Sequence, residues 1–555
     1  MDTTPKFNDE IDVLLVHFPA PLGEEIAEHI GIGYIASILR QDGMKVKILD
    51  AVLQQISLKQ LLHIICDYFR MCRFRLLGIS IYENNYKELG SIISYLRTKG
   101  VQAHITIGGH FPTIDAERIL NFIPNLDSIC RGEGEYSVRN LAKCLKDGKN
   151  WNNIPNISYR GKSNKIVSND IEPIERLDLL PYPSRDTVNY LKMHGAPIGI
   201  LRSRGCRDKC SFCSISSFYR VCGDNPYRVR EVKDVIDEIE NIIEKYQYNR
   251  IRFLDDSFLS ARTEDRNNVL HLAHELIRKN IKIRFNISTR CDSVERELFF
   301  LLKQAGLVQV YLGLESWSNG SLERFNKHID ASINLTACNI LKGLMIRFHV
   351  GFIMFDPYST LDDIRQNIDG IRKHLDNGVQ LHSPQELYRR VRLFRGTPIV
   401  DVLEHEDLLI KLSDFRLDYK FRYSNTQKLY EAIKLWRCRI EPTQTIYKRL
   451  RMFAQQPFVP SVFVSNIELA NRKWLAFQVD QFQNILDEAS NNEETSRFIL
   501  GTEKIFVKNQ DCVNEFHNKG LLLLSQIFLN KNCIYNKLLI DRSLLARNLE
   551  CQGSV

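Results

Sequence analysis

Residues 204–213 read Arg-Gly-Cys-Arg-Asp-Lys-Cys-Ser-Phe-Cys, and the fold assignment works outward from this stretch. Cys206, Cys210 and Cys213 fall within eight positions, spaced x3 then x2, directly after the apolar strand pattern GILRS at 199–203. Thiolates so spaced can wrap a loop around one face of a cubane cluster. Full cysteinyl ligation of such a cluster takes four thiolates, so three leave one iron open to an outside ligand. Two other readings stand beside this one. A zinc site usually takes two Cys pairs or a His-bearing pair, and no second pair lies nearby. Cys222 as a fourth ligand would instead close the cluster, making a non-enzymatic electron carrier or sensor.

The region around the three cysteines alternates strand and helix patterns. Strands are predicted at 199–203, 251–255, 283–288, 309–313, 348–354 and 387–393, which describes a partial (βα)6 TIM-like barrel over residues 196–400. Catalytic groups of such barrels gather at the carboxyl ends of strands. Those ends carry Asp255 and Asp256, Ser288-Thr289-Arg290, Glu315-Ser316, Asp356, and Arg395-Gly396-Thr397. Polar groups therefore converge on one mouth, facing the thiols.

Upstream, residues 9–150 hold five strand–helix alternations, the pattern of a doubly wound, Rossmann-like α/β domain. One predicted helix begins at a capping Ser57 and another stops at Gly43. Ligands of such sheets sit beyond the carboxyl ends of the strands. Here these ends are His17-Phe18-Pro19, Ser80-Ile81-Tyr82, Gly108-Gly109-His110 and Gly132-Glu133-Gly134-Glu135. Small residues there let a large planar ligand approach the backbone. No GxGxxG follows the first strand, which disfavours a dinucleotide. Residues 151–195 read as a polar, Pro-containing connection. Residues 401–555 read as a mostly helical, substrate-associated region, with Leu429, Ile433, Trp436 and Ile440 at helical spacing.

A chain of 555 residues exceeds what one core supports, and 44% hydrophobic with 26% charged residues is ordinary globular composition. The N-terminal stretch lacks a basic then apolar signal pattern, and no run of about 18 apolar residues occurs. A cytoplasmic protein without membrane contact is expected. Of the 14 cysteines, isolated ones such as Cys66, Cys144, Cys338 and Cys438 read as small buried hydrophobes. The net charge of +8 concentrates in Lys411–Arg451, which alone carries +7. The solvated face of a basic helix is favoured there over an acidic-partner surface, and nucleic acid is disfavoured.

The CxxxCxxC loop, with Phe212 before its last cysteine, resembles the signature of radical S-adenosylmethionine (SAM) enzymes. The strand-end stretches FLDDSF, STR, GLES and FRGTP resemble the subgroup with an N-terminal cobalamin-binding domain, the class B methyltransferase-like enzymes. The resemblance covers residues 195–400, more loosely the N-terminal domain. It implies a [4Fe–4S] cluster on Cys206, Cys210 and Cys213, whose open iron SAM chelates. It places Phe212 at the adenine, Asp255 and Asp256 at the methionyl amine, and Ser288, Arg290 and Glu315 at the carboxylate and ribose. It also implies cobalamin, with Ser80, Gly108 and Gly109 around its nucleotide tail and Glu133 in a GEGE turn. The DxHxxG motif is absent, the first loop being HFPAPLGEE, so cobalt is expected to lack a histidine ligand from that loop. His110 is expected to be a loop histidine. The implied activity is C-methylation of an unactivated carbon in a small molecule or peptide, using a 5′-deoxyadenosyl radical and methylcobalamin. Flavodoxin or ferredoxin would supply electrons. Cyclisation or ring rearrangement without methyl transfer is the alternative; methylthiolation is disfavoured because the N-terminal cysteines form no second cluster set.

Overall fold

The structure is a computed structural model that describes residues 10–19, 27–223, 226–260, 262–375, 384–454, 459–491 and 495–529. Two compact units divide the chain: residues 1–351 with 391–420, and residues 352–390 with 421–555.

The first unit opens with a parallel sheet of β1 (Val13–His17), β2 (Val46–Asp50), β3 (Leu76–Ser80), β4 (His104–Gly108) and β5 (Ser128–Cys130), in the order β2-β1-β3-β4-β5. All five residues of β1 are buried, as expected of a strand covered by helices on both faces. Helices Ile30–Gln41, Leu58–Cys72, Tyr86–Thr98 and Glu135–Asp147 lie among the crossovers. Ser57 caps its helix reciprocally with Gln60. Gly43, at φ +74°, takes the left-handed conformation that ends the first helix. The doubly wound expectation holds, with one addition. The stretch 151–195, expected as a connection, supplies β6 (Ile157–Arg160) and β7 (Ile166–Ser168), an antiparallel hairpin on the sheet edge. Its exposed edge strand alternates weakly in hydropathy, so the sequence hides it. Asn164 at φ +61° makes its turn, and the Ser158 and Ser168 hydroxyls meet across it at 2.8 Å.

The same unit holds the larger part of the second sheet. Its strands are β8 (Ile198–Ile200), β11 (Arg250–Phe253), β12 (Arg284–Arg290), β13 (Leu307–Glu315) and β14 (Arg347–Phe352), in the order β14-β13-β12-β11-β8. A short antiparallel pair, β9 (Ser203–Gly205) and β10 (Tyr227–Val229), brackets the cysteine loop. The sixth expected strand at 387–393 does not form. Pro384–Tyr388 is a 3-10 helix, and Arg390 makes a single isolated bridge to Phe355. Arg390 lies over the rings of Phe421 and Tyr430, 5.0 and 4.8 Å from their centroids. A guanidinium engaged there with aromatic rings does not pack as a central strand residue. Among the described residues, the partial barrel has five strands.

In the second unit, helices Ser424–Ala454, Ser461–Asn491, Thr495–Lys508 and Gln510–Leu529 pack as the helical region expected from sequence. Leu429, Ile433, Trp436 and Ile440 are all buried, and Trp436 stacks on Phe506 at 5.6 Å. Arg439 turns outward to Glu503 at 2.9 Å, the solvated-face outcome for that part of the basic stretch. No helix among the described residues is long and apolar enough to cross a membrane.

Candidate functional site

The cysteine loop leaves β9 through Gly205, whose φ is +89°. A Cβ there would stand 1.7 Å from the carbonyl oxygen of Pro226, so only glycine lets β10 close against this strand. The loop is then pinned from outside. Ser211 donates its N–H to the Phe325 carbonyl at 2.9 Å and its hydroxyl to the Arg324 carbonyl at 2.7 Å. Asn326 donates to the Lys209 carbonyl at 2.8 Å, and Ile399 N–H to the Ser211 carbonyl at 3.0 Å. Cys213 is the N-cap of helix Ser214–Val221. Burial pushes the Cys206 and Cys213 thiols up, and that of Cys210 up to about 11. Bound iron reverses that preference, because a coordinated thiol is deprotonated outright.

Among the described residues, no trio of His, Cys, Asp or Glu is close enough to hold a single metal ion. Cys222 caps the far end of the helix that Cys213 begins, about 13 Å away at 1.5 Å per residue. It is buried with Phe218 and Tyr219, and burial pushes its thiol up to about 12. It cannot close the cluster held by this loop.

The strand-end residues divide into those facing the loop and those spent on structure. Asp256 accepts the Gly205 N–H at 3.0 Å and is exposed, with protein crowded around it. That crowding pushes its carboxyl up to about 6. Asp255, expected beside it as a SAM contact, requires correction. It is buried, accepts the N–H groups of Arg202 (3.2 Å) and Ser203 (2.6 Å) and the Ser203 hydroxyl, and pairs with Arg202. Its oxygens tie the end of β11 to the segment that leads from β8 into β9. Arg290 is likewise committed, to Asp292 (2.7 Å), Asp208 (3.5 Å) and the Lys327 carbonyl, while its Nη1 donates to Cys210 Sγ at 3.5 Å. It holds the cysteine loop rather than pointing at a carboxylate ligand. Glu315 sits at φ +68°, an uncommon conformation for a non-glycine residue, with Lys327 Nζ at 3.6 Å. Phe212 packs edge-on against Phe325 at 5.0 Å. Asp356 accepts the Tyr358 N–H and the Ser359 hydroxyl within its own turn.

Ser288 is half-buried and shares a face of β12 with Asn286 and Arg290, alternating with buried Phe285, Ile287 and Thr289. Parallel register carries that face across the sheet, pairing Arg252 with Asn286, Asn286 with Gln309, and Ser288 with Tyr311. Arg252, Asn286, Gln309 and Tyr311 are half-buried on this face, and none of them lies at a strand's carboxyl end. Their signal was a polar residue at every second position within predicted strands.

At the N-terminal sheet, register aligns Asp50, His17, Ser80, Gly108 and Cys130 in one row at the carboxyl edge. His17 Nδ1 lies 2.9 Å from Asp50 Oδ1. Burial alone would raise the Asp50 carboxyl, but the bond and charge of His17 outweigh it and hold it low. His29 Nδ1 accepts the Ile32 N–H at 3.1 Å, leaving its Nε2 to donate to the Ser80 hydroxyl at 2.7 Å. Burial, then His17, pushes the His29 imidazole down to about 3. Gly109 has φ +117°, and a Cβ there would meet the Ile81 carbonyl at 3.3 Å. A Cβ at Gly108 would likewise stand 3.4 Å from the Cys130 carbonyl, so both glycines keep the backbone close at this edge. His110 stacks on Phe218 at 4.0 Å.

Glu133 does not open onto this edge. Its carboxylate accepts Arg204 Nη1 at 2.8 Å, Arg228 Nη1 at 2.6 Å and Nη2 at 3.1 Å, and the Ile174 N–H at 3.0 Å. Glu135 takes the other Nη of Arg204 at 2.6 Å. All four side chains are buried. The GEGE turn is thereby bolted to β9 and β10, the two strands that carry the cysteine loop.

Residues 200–370 match the Radical SAM superfamily, and residues 24–142 match the B12 binding domain. Residues 200–370 thus form a radical SAM domain. It is 25% identical over 409 residues to 4′-phospho-dehydrooxetanocin synthase of Priestia megaterium, covering 68% of this chain and 53% of that protein. The chain thus spans about half the length of that relative. Hopanoid C-3 methylase of Methylococcus capsulatus is 25% identical over 341 residues, covering 60% of this chain and 61% of that one. Among solved structures, the cobalamin-dependent SAM radical enzyme OxsB with aqua-cobalamin superposes with a TM-score of 0.73 at 19% identity, covering 96% of this chain and 82% of that one. A B12-binding domain thus precedes the radical SAM domain in this chain. Its cofactors are a [4Fe–4S] cluster, SAM and cobalamin.

Proposed function

We propose that this cobalamin-dependent radical SAM enzyme is a C-methyltransferase acting on an unactivated carbon of a small molecule or peptide. The observation carrying the reading is the Glu133–Arg204–Arg228 clamp, which ties the sheet edge suited to cobalamin to the strands bearing the cysteine loop. When bound, the cluster supplies the electron that splits SAM into methionine and a 5′-deoxyadenosyl radical, and cobalamin carries a methyl group from a second SAM. Cys206, Cys210 and Cys213 each hold one iron. Arg290 fixes Cys210 and Asp208 on either side of the loop. Asp256, beside the loop, takes the SAM amino group. Ser288 and Glu315 orient its carboxylate and ribose, and Phe212 borders its adenine. Ser80, Gly108 and Gly109 leave room for the cobalamin tail. A flavodoxin or ferredoxin supplies the electrons.

The name of the methylase relative supports methyl transfer. A second reading is cyclisation or ring rearrangement without methyl transfer, which a relative named a cyclase, 30% identical over 271 residues, supports. The two separate without knowing the substrate. Anaerobically reconstituted protein is incubated with methyl-labelled SAM, hydroxocobalamin and titanium(III) citrate. Methyl transfer predicts label on the cobalamin with S-adenosylhomocysteine in equal amount. Formation of 5′-deoxyadenosine with unlabelled cobalamin overturns it in favour of the second reading.

A further inference from the structure

Arg395, expected at the barrel mouth with Gly396 and Thr397, lines a cleft of about 440 Å³ instead. The cleft lies between helices Tyr86–Thr98 and Ala116–Phe122 and the hairpin turn that carries Ser413 and Asp414. Lys87, Arg118 and Lys411 line it as well, and among the described residues Asp414 brings the one carboxylate to its lining. No residue of the row His17, Asp50, Ser80, Gly108 and Cys130 takes part, nor does any cysteine of the loop. The walls are seated by packing. Buried Phe415 meets the rings of Tyr86 at 4.6 Å and Phe122 at 5.6 Å, which fixes the hairpin turn on both helices. The Tyr86 hydroxyl and the Arg416 N–H both donate to Ser413 Oγ, at 2.9 and 3.1 Å.

Two guanidiniums are thereby held side by side. The Asp414 carbonyl accepts Arg118 Nη1 at 3.2 Å and Arg395 Nη2 at 3.0 Å. Behind them the buried Asp115 carboxylate lies 3.9 Å from Arg118 Nε and 3.6 Å from Arg395 Nε. Like charges repel at such range, so one shared carbonyl and one shared carboxylate keep the pair together. Lys411 is paired with Glu404 at 2.8 Å, whereas Lys87 rests over the Tyr86 ring and makes no ion pair among the described residues. Even with Asp115, Asp414 and Glu404 set against the cations, the cleft stays net positive. Arg118 Nη2, Arg395 Nη1 and Lys87 Nζ have no protein acceptor among the described residues.

We propose that this cleft binds the phosphate monoester of a small organic molecule. Arg118 and Arg395 grip the phosphate through their unpaired N–H groups, Lys87 adds a third positive charge, and the Phe122 ring covers the organic body. Guanidinium forks match the spacing of phosphate oxygens, and a dianion answers several cations better than a carboxylate does. The volume argues for more than a bare ion, since it falls in the range of about 300–1,000 Å³ typical of pockets for organic ligands. Phe122, 42% exposed beside these cations, supplies the apolar wall such a ligand needs.

The test uses holoenzyme with cluster, SAM and cobalamin in place, so that the cofactor sites cannot take the probe. It is titrated anaerobically in a calorimeter with phenyl phosphate, inorganic phosphate and phenol. Phenyl phosphate should saturate one site, about tenfold more tightly than inorganic phosphate, and phenol should not bind. K87E and R118E alter exposed side chains, so each should melt with the wild type. Each should weaken phenyl phosphate about tenfold or more, having lost a charged hydrogen bond and gained a repelling charge. Unchanged affinity in either well-folded variant overturns the proposal, because the probe then binds elsewhere. So does the lack of saturation up to about 10 mM, or phenol binding as tightly as its phosphate. Equal affinity for inorganic and phenyl phosphate overturns the organic ester and leaves a simple anion site.

Discussion

Replacing Glu133 by Gln tests whether the GEGE turn is a mechanical clamp or a cofactor contact. Glu133 accepts three N–H bonds from two guanidiniums and a fourth from Ile174. Removing one partner of a buried ion pair costs about 3–5 kcal/mol, because the other charge stays buried. Arg204 keeps Glu135 at 2.6 Å and Arg228 keeps the Ile174 carbonyl, so the low end applies, about 3 kcal/mol. At roughly 2 °C per kcal/mol for a large domain, the melting transition of the first unit falls by about 6 °C in calorimetry. The pH dependence gives a second readout. Burial raises the Glu133 carboxyl, but Arg204 and Arg228 outweigh burial and hold it below the ordinary range. A folded value below the unfolded one, about 4.3, means the stabilisation is complete above that pH and is lost as pH falls through the folded value. The gap between wild type and E133Q is therefore widest at neutral pH and closes under acid. A variant that melts with the wild type yet binds cobalamin tenfold more weakly would refute the clamp and restore Glu133 as a ligand contact.

Two further outcomes follow from the cysteine loop. G205A forces a Cβ to 1.7 Å from the Pro226 carbonyl at a left-handed φ that itself costs about 1–2 kcal/mol; the loop must shift, and iron and sulfide per chain should fall by more than half, a full complement counting against this account. Asp256, with its carboxyl pushed up to about 6, is anionic above that pH, so SAM affinity should drop as pH falls through 6. D256N should weaken SAM binding about tenfold at pH 8, the loss of one charged hydrogen bond, and flatten the pH dependence. Equilibrium dialysis with labelled SAM measures both, and equal pH profiles for the two proteins would remove Asp256 from the SAM site.

What the sequence revealed and what it withheld follow from the range of the interactions involved. The three cysteines, the capping Ser57 and the stripe Leu429, Ile433, Trp436 and Ile440 were legible because their partners lie within a few residues or one helix turn. The hairpin Ile157–Ser168 was not, since an edge strand buries too little to impose alternation. The sixth strand failed at Arg390, whose aromatic partners Phe421 and Tyr430 lie about 30 to 40 positions away. The side chains of Asp255 and Asp256 were equivalent in sequence. Only the fold shows that one is consumed by Arg202 and Ser203 while the other faces the loop.

The same distinction bears on how the two halves of the site are coupled. Arg204 directly precedes Gly205 and Cys206, yet its guanidinium ends in Glu133 and Glu135, on the turn after β5. That turn packs beside the row containing Ser80, Gly108 and Cys130. A strand three residues long thus carries the cysteine loop at its end and the anchor of the cobalamin-side turn in its middle. Displacing one must move the other, because buried charged pairs have no alternative partner in water to fall back on. The placement of the cysteine loop against the GEGE turn is accordingly fixed through Ser203–Gly205, a far shorter path than the chain between them in sequence. If E133Q leaves the cluster's reduction potential and the cob(II) resonance both unchanged while melting early, the coupling runs elsewhere; a shift in both locates it in this strand.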